Sequence, residues 1–171
     1  GREHDEFDRC RPTYILIVEG RETVIGAVRL LPATGPTLLT VLFPELAGQG
    51  LFRPHAAMIE SSRFCVDTSV ISSPEASGQG QALHGATWTL FAAIIEWSMG
   101  EGYREIVTAT DVRFERLLNR AHWPMRRLGE PRMIGETLSI AGALPADDAS
   151  FASVRPPGYR SDLGGLRRSA A

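Results

Sequence analysis

The feature that most constrains the fold is one long amphipathic segment between two short, strand-like runs. Between Gln81 and Gly100, apolar residues recur at spacings of three and four, which predicts a helix. Gly100 and Gly102 mark its expected end. The runs on either side, Met58–Val66 and Glu105–Thr110, are typical of buried strands. A strand, a long helix and a second strand therefore form the predicted centre of the domain.

The segments around this centre extend the predicted sheet. Residues 13–19 and 23–31 read as a hairpin of strands, and residues 37–47 as a short helix or an irregular packing segment. Asp111 is a plausible N-cap for a helix through His122, and residues 123–128 and 133–144 read as a closing strand pair. We therefore predict an α/β (α+β) fold, a three-layer mixed sheet flanked by helices. Residues 1–145 form the expected domain and residues 146–171 a loosely packed tail.

Composition excludes several classes of protein. The chain has 171 residues and a formal net charge of -2, so nucleic-acid binding has no electrostatic support. Apolar runs are too short for a membrane span, and no secretory signal opens the chain, so a cytoplasmic protein is expected. All 18 basic residues are arginine, which excludes a lysine nucleophile. Two isolated cysteines and scattered histidines do not predict a structural metal site, and no bound cofactor is expected.

Several charged residues lie near the start of the sequence or inside apolar strands, where the fold alone does not call for a charge. Asp5 and Asp8 are spaced so that their carboxylates can converge on a cation, although a solvated terminus would look the same. Arg29 lies among apolar strand residues and must either be paired or reach the strand edge. Glu60 and Arg63 interrupt another apolar strand, and such charges are rarely buried without partners.

The spacing of Glu60 and Arg63 predicts an irregular strand. Residues three apart point to opposite faces of a regular strand. A β-bulge near Ser61 and Ser62 would bring both side chains to one face, and bulges often lie beside active sites. Without a bulge, Glu60 faces the cleft and Arg63 supports the other side.

Five segments together resemble the acyl-homoserine-lactone synthases, the LuxI-type autoinducer synthases of bacterial quorum sensing. The matching stretches are DEFD (5–8), RLLPATGPTLL (29–39), FPEL (43–46), ESSRFCV (60–66) and RLLNRAHWPMRRLG (116–129). The resemblance implies a GNAT-like acyltransferase fold, in which the acyl donor's pantetheine arm lies where two strands splay apart. Family members also carry a helical segment ahead of the D-x-x-D motif, and this chain begins almost at that motif.

The resemblance implies a reaction and a set of site residues. An acyl chain from acyl carrier protein or acyl-CoA would be joined to the amine of S-adenosylmethionine, which is a substrate here, with lactone closure and release of methylthioadenosine. By motif position, Asp5, Asp8, Arg29, Glu60 and Arg63 would be catalytic, and Phe64 would stack on the adenosyl group. The expected acyl pocket is formed by Trp88, Phe91, Ile106 and Thr108. The expected docking face for the carrier protein is formed by Arg113, Arg116 and Arg120.

Two other functions remain open at this point. The segment Gly78-Gln79-Gly80 before the long helix is suited to a pyrophosphate, as in a GNAT-type N-acetyltransferase that uses acetyl-CoA. Glu75 stands where that motif has Gln or Arg, and an acid there would repel the pyrophosphate. A third possibility is a catalytically inactive domain that binds an acyl group or an effector.

Overall fold

The structure is a computed structural model that describes residues 4–20, 22–48, 50–67 and 79–163; over residues 79–84 it describes the backbone only. The strands are β1 (Thr13–Glu19), β2 (Thr23–Pro32), β3 (Met58–Val66), β4 (Glu105–Asp111), β5 (Arg126–Arg127), β6 (Arg132–Ile134) and β7 (Thr137–Pro145). The α-helices are α1 (Leu38–Val41), α2 (Gln79–Gly100), α3 (Val112–Arg120) and α4 (Asp148–Val154), and short 3-10 helices cover Glu6–Cys10 and Pro44–Leu46.

The strands of the described residues form one mixed sheet in the order β1-β2-β3-β4-β7-β5, with β6 paired to β7. Neighbouring strands are antiparallel except β3 and β4, which are parallel and connected through α2. A parallel pair needs a crossover connection of this kind, since a tight turn cannot return the chain to the same end of the sheet. The long helix predicted from the sequence is that crossover.

Apolar side chains on the two faces of the sheet form two separate cores. On one face, Leu90 and Ile95 of α2 pack with α3, α4 and the sheet residue Ile106. On the other face, Leu39 of α1 and Leu46 of the second 3-10 helix pack against Val107. Consecutive residues of a strand point to opposite faces, so one short run from β4 serves both cores. The predicted three-layer mixed sheet is confirmed.

The parallel strands β3 and β4 stay together for only part of their length. Their pairing comprises Met58 with Glu105, Ile59 with Ile106, and Glu60 with Val107. Beyond these pairs, β3 continues alongside β2, and β4 continues alongside β7. The two strands therefore diverge, and a gap opens in the middle of the sheet beside α2 and α3.

The helix and strand boundaries differ from the predictions at a few places. Helix α2 begins at Gln79, two residues earlier than the periodicity indicates, whereas Glu75 and Gly78 lie outside the described residues. The predicted strand over residues 133–144 is a hairpin of β6 and β7, because Gly135 adopts a positive φ of 58° and turns the chain. No helix within the described ranges is long and apolar enough to cross a membrane.

The segment after Pro145 is more ordered than its polar composition indicates. Asp147 caps α4 by accepting a hydrogen bond from the Ser150 amide at 2.8 Å, and Val154 is fully buried against the larger core. Tyr159 then donates a hydrogen bond to Glu96 of α2 at 2.7 Å. The prediction of a loosely packed tail therefore does not hold over residues 146–159. A few apolar side chains on one face are enough to dock a short helix, and average composition does not reveal them.

We predict that Val154→Ala lowers the free energy of unfolding by about 2 kcal/mol, because it removes buried methyl groups and leaves a cavity. Chemical denaturation measures this value. Ser153→Ala, on the exposed side of the same helix, is the control and should change it by less than about 0.5 kcal/mol. Equal effects of the two variants would mean that α4 does not belong to the core.

Candidate active site

A fully buried arginine organises the site. The backbone of β2 places Arg29 beside Ser62 of β3, and Ser62 Oγ accepts a hydrogen bond from Arg29 Nε at 3.0 Å. Arg29 Nη1 donates to Asp5 Oδ1 at 2.7 Å and to Asp8 Oδ1 at 3.1 Å. Burying an arginine is costly unless acids neutralise it. The predicted convergence of Asp5 and Asp8 on a cation is therefore present, and the cation that they share is Arg29.

The two acids belong to a short helical turn whose own hydrogen bonds fix their positions. Asp5 accepts from the Phe7 amide at 3.0 Å, while the Asp5 amide donates to Asp8 Oδ2 at 2.9 Å, which is a capping box. Phe7 is buried, and the Arg29 guanidinium carbon lies 5.5 Å from the centre of its ring. Packing and capping together therefore hold this turn against β2.

Arg63 joins this group because β3 contains a bulge. Between the pairs Ala27–Cys65 and Arg29–Ser62, β3 has one residue more than β2, and Arg63 has a left-handed φ of 52°. This conformation is uncommon for a residue with a side chain, and it turns Arg63 toward the 3-10 helix Glu6–Cys10 and its cap Asp5. Its Nη2 donates to Asp5 Oδ2 at 2.9 Å. The predicted irregularity is confirmed, one step further along the strand than Ser61 and Ser62.

The acids of this group are held in the ionised state. Burial alone would raise the pKa of Asp5, but hydrogen bonds and charge from Arg29 and Arg63 outweigh it and lower that pKa. The pKa of Asp8 is lowered most by the hydroxyl of Tyr14, which donates to Asp8 Oδ1 at 2.5 Å, and further by the Asp5 amide and Arg29. Both carboxylates are therefore negative throughout the neutral range.

Glu60 lies on the same face of the sheet in a different environment. Its side chain is 1% exposed, and its two oxygens accept hydrogen bonds from the Leu38 and Leu39 amides at 2.9 and 2.8 Å. Burial raises the pKa of Glu60, and these amides and the Thr37 hydroxyl offset the rise only in part. The sequence did not indicate that Glu60 would hold the first turn of α1, because the two segments are far apart in the chain.

A cavity of about 240 Å³ occupies the gap between β3 and β4. Its lining is mostly apolar and includes Phe91, Ile94 and Ile106, while Ser61 and Thr108 contribute hydroxyl groups. Its lining also includes Ser62 and Arg63, which belong to the charged group described above. The cavity and the charged group therefore meet along a single stretch of β3.

The predicted substrate-binding residues are only partly brought together. Phe91, Ile106 and Thr108 line the cavity, whereas Trp88 is not part of its lining and packs against Phe91 with ring centres 5.8 Å apart. Phe64 also lines the cavity and packs between Phe91 and Phe114 at 5.2 and 5.1 Å, and its stacking on an adenosyl group stays a prediction. After the bulge, Phe64 points to the α2 side of the sheet, which explains its position.

Helix α3 forms one wall of the cavity. Phe114 and Leu118 line the cavity, while the predicted docking residues Arg113, Arg116 and Arg120 are exposed. None of these three forms an ion pair with a described residue, whereas the neighbouring Arg127 holds Glu115 through two bonds of 2.7 and 2.9 Å. We call these three exposed residues the arginine face.

Sequence reasoning missed several residues of the site. Ser62, Tyr14 and the α1 amides were not singled out, and Glu115 was not recognised as a buried acid. Tyr14 stands directly opposite Arg29 in the predicted hairpin, so strand register could have found it. Within the described residues, no cluster of three or more His, Cys, Asp or Glu side chains could hold a metal ion.

Comparison with known proteins identifies the family. The model of the autoinducer synthase family matches residues 1–154. An acyl-homoserine-lactone synthase of Agrobacterium fabrum is 56% identical to the chain over 174 residues, covering 99% of this chain and 81% of the relative. The chain belongs to the acyl-homoserine-lactone synthases. It is therefore an acyltransferase, as its motifs indicate. A more distant synthase, from Aliivibrio fischeri, is 34% identical and covers 85% of this chain and 74% of the relative.

Solved structures agree with this assignment. The acyl-homoserine-lactone synthase LasI superimposes with a TM-score of 0.75 at 27% identity, covering 89% of this chain and 73% of LasI. BjaI, a CoA-dependent acyl-homoserine lactone synthase solved with MTA, superimposes with a TM-score of 0.78 at 21% identity, covering 98% of this chain and 78% of BjaI. At that identity, BjaI supports the fold alone.

We predict that the stability supplied by Asp8 depends on pH. Because its pKa is lower in the folded protein than the ordinary 3.8, the ionised carboxylate stabilises the fold above that pH, and this stabilisation is lost as the pH falls toward the lower folded-state pKa. The melting temperature of Asp8→Asn should lie below that of the wild type at neutral pH, and the difference should shrink below about pH 4.

Val154→Ala is the control for this series, since it removes no charge and should lower the melting temperature at every pH. A difference for Asp8→Asn that stays constant from neutral to acid pH would show that the charge of Asp8 contributes nothing to the fold.

Proposed function

We propose that the charged group binds S-adenosylmethionine and the cavity binds an acyl thioester, so that the acyl chain is transferred to the amine of S-adenosylmethionine. One observation supports this arrangement above all: Ser62 and Arg63 border both the charged group and the cavity. Two substrates that bind on either side of this stretch have their reactive groups close together, which acyl transfer requires.

The charges suit both ends of the amino-acid part of S-adenosylmethionine. Ionised Asp5 and Asp8 attract its ammonium and sulfonium groups. Arg29 Nη2 is buried and has no hydrogen-bond acceptor among the described residues, so it is a donor that remains for the substrate carboxylate. Arg63, which is 24% exposed, supplies a second positive charge in the cavity lining.

Glu60 is the proposed acceptor of the amine proton. The substrate ammonium first loses a proton to Glu60. The neutral amine then attacks the thioester carbonyl, a nitrogen–carbon bond forms, the carbon–sulfur bond breaks, and the second amine proton leaves with the donor's thiol. Glu60 suits this role because its raised pKa makes it a stronger base than an ordinary carboxylate, and its three hydrogen bonds leave one of the four lone pairs on its oxygens open. The substrate carboxylate then attacks its own γ-carbon, which closes the lactone and expels methylthioadenosine.

The arginine face is the proposed docking site for an acidic acyl carrier protein. It lies on α3, whose other face lines the cavity, so a carrier bound there could deliver its acyl chain over a short distance. Opposite charge on two partners speeds their encounter. Acyl-CoA is the alternative donor, and the matched structures BjaI and MesI are described as CoA-dependent synthases.

The direct test incubates the purified protein with S-adenosylmethionine and acyl donors of different length and oxidation state, and identifies the products by mass spectrometry. An acyl-homoserine lactone formed together with methylthioadenosine supports the proposal. Acetylation of an amine without lactone would favour the N-acetyltransferase, and binding without turnover would favour an inactive binding domain.

The cytoplasmic location of the protein stays a prediction.

We predict that Glu60→Gln lowers kcat by about 100-fold or more while the protein stays folded, because a base is replaced by a neutral amide. Glu96→Gln is the matched control. Glu96 is a half-buried acid of α2 that accepts a hydrogen bond from Tyr159 and lies outside the cavity lining, so this variant should keep kcat within about twofold of the wild type. Lactone formation measures both variants. Near-normal turnover of a folded Glu60→Gln protein would remove Glu60 from the mechanism.

Reversal of the arginine face to glutamate should raise KM for a carrier-bound donor about tenfold and leave kcat and the KM for the matching acyl-CoA nearly unchanged. The control reverses three exposed arginines elsewhere, Arg53, Arg155 and Arg160, which changes the net charge equally. A similar rise in the control would point to net charge rather than to this face. No rise in either variant would exclude a carrier docked on α3.

A further inference from the structure

Tyr14 contacts the charged group from its solvent side. Its hydroxyl donates to Asp8 Oδ1 at 2.5 Å, and the same oxygen accepts from Arg29 Nη1 at 3.1 Å. Tyr14 and Arg29 are directly opposite each other in the β1–β2 ladder, so both side chains project from the same face of the sheet. The strand register therefore holds the tyrosine beside the acid that it contacts.

The hydroxyl of Tyr14 does not belong to the apolar core. The residue is 44% exposed, and its neighbours Leu16 and Val18 on the same face are about half exposed. On the other side of β1, Ile15 belongs to the apolar core. The hydroxyl of Tyr14 therefore contributes little to packing, and its polar contacts are all directed to the charged group.

Without Tyr14, the position of Asp8 would be less constrained. Asp8 Oδ2 is held by the Asp5 amide at 2.9 Å, while Oδ1 would keep only the longer contact with Arg29. Rotation of this carboxylate would draw Arg29 Nη1 away from its present geometry and change the charge presented to a ligand. A hydrogen bond from a neutral hydroxyl to a carboxylate is among the stronger side-chain interactions.

We propose that Tyr14 is a positioning residue that orients the Asp8 carboxylate, and through it Arg29, for binding of S-adenosylmethionine. This inference rests on the proposed function of the charged group. Tyr14 lies outside the cavity lining, so it acts on one substrate and leaves the binding of the acyl donor unchanged.

The experiment measures the dissociation constant for S-adenosylmethionine by calorimetry, and the KM for each substrate, in Tyr14→Phe. The phenyl ring keeps the packing of Tyr14 and removes only the hydroxyl. We expect about a tenfold weaker affinity for S-adenosylmethionine, with the KM for the acyl donor within about twofold of the wild type. The matched control is Tyr159→Phe, which also removes a tyrosine–carboxylate hydrogen bond, to Glu96, and should leave both values unchanged.

A double variant tests whether Tyr14 acts through Asp8. If it does, Tyr14→Phe combined with Asp8→Asn should bind S-adenosylmethionine no more weakly than Asp8→Asn alone, because the second change removes the partner of the first. Additive losses would overturn the proposal, as would an unchanged dissociation constant in folded Tyr14→Phe or an equal rise in both KM values. A wild-type protein that makes lactone while Tyr14→Phe behaves normally would refute this inference alone. A wild type that does not bind S-adenosylmethionine would refute the proposed function as well.

Discussion

The buried guanidinium of Arg29 is the interaction on which the rest of the site depends. A charge with no exposed surface is tolerated only where its partners are fixed, and here they come from separate parts of the chain. Asp5 and Asp8 precede Arg29 by 24 and 21 residues, and Ser62 follows it by 33. Arg29 thereby joins the 3-10 helix Glu6–Cys10, the β1–β2 hairpin and β3 at one point. Loss of either acid would leave the buried charge less fully compensated, so these contacts contribute to the stability of the fold.

Two irregularities of β3 create the site from an otherwise regular sheet. The bulge turns Arg63 toward the acids and sends Phe64 to the opposite face, so one extra residue brings both a charge to the acids and a ring to the cavity lining. The early separation of β3 from β4 opens the space that this pocket occupies. In a regular strand paired along its full length, neither feature would exist. The backbone strain at Arg63 is maintained because its hydrogen bond to Asp5 and the packing of Phe64 both require it.

Much of this architecture could be predicted because local pattern and global fold agree. The bounds of β1 and β3 match the prediction to the residue, and the spacing of Glu60 and Arg63 was sufficient to predict a bulge. The failures share another cause. The docking of α4, the contact of Glu60 with α1 and the inward position of Phe64 depend on which distant segment occupies the neighbouring space. Periodicity within one segment carries no information about that. The family resemblance named Asp5, Asp8, Arg29 and Arg63, and the structure brings these four side chains together.

The acids of the site are arranged in two environments that shift their pKa values in opposite directions. Arginines and the Tyr14 hydroxyl lower the pKa values of Asp5 and Asp8, so these acids stay charged and cannot take a proton near neutral pH. Burial raises the pKa of Glu60, and the two amides, the Thr37 hydroxyl and the charge of Arg29 compensate only partly. Where one site separates its carboxylates in this way, electrostatic binding and proton transfer belong to different residues. A cationic substrate needs the first kind of acid, and its ammonium must lose a proton to the second before it can attack a thioester. The opposite pKa shifts of these carboxylates therefore support the proposal that Asp5 and Asp8 bind the substrate and that Glu60 is the base.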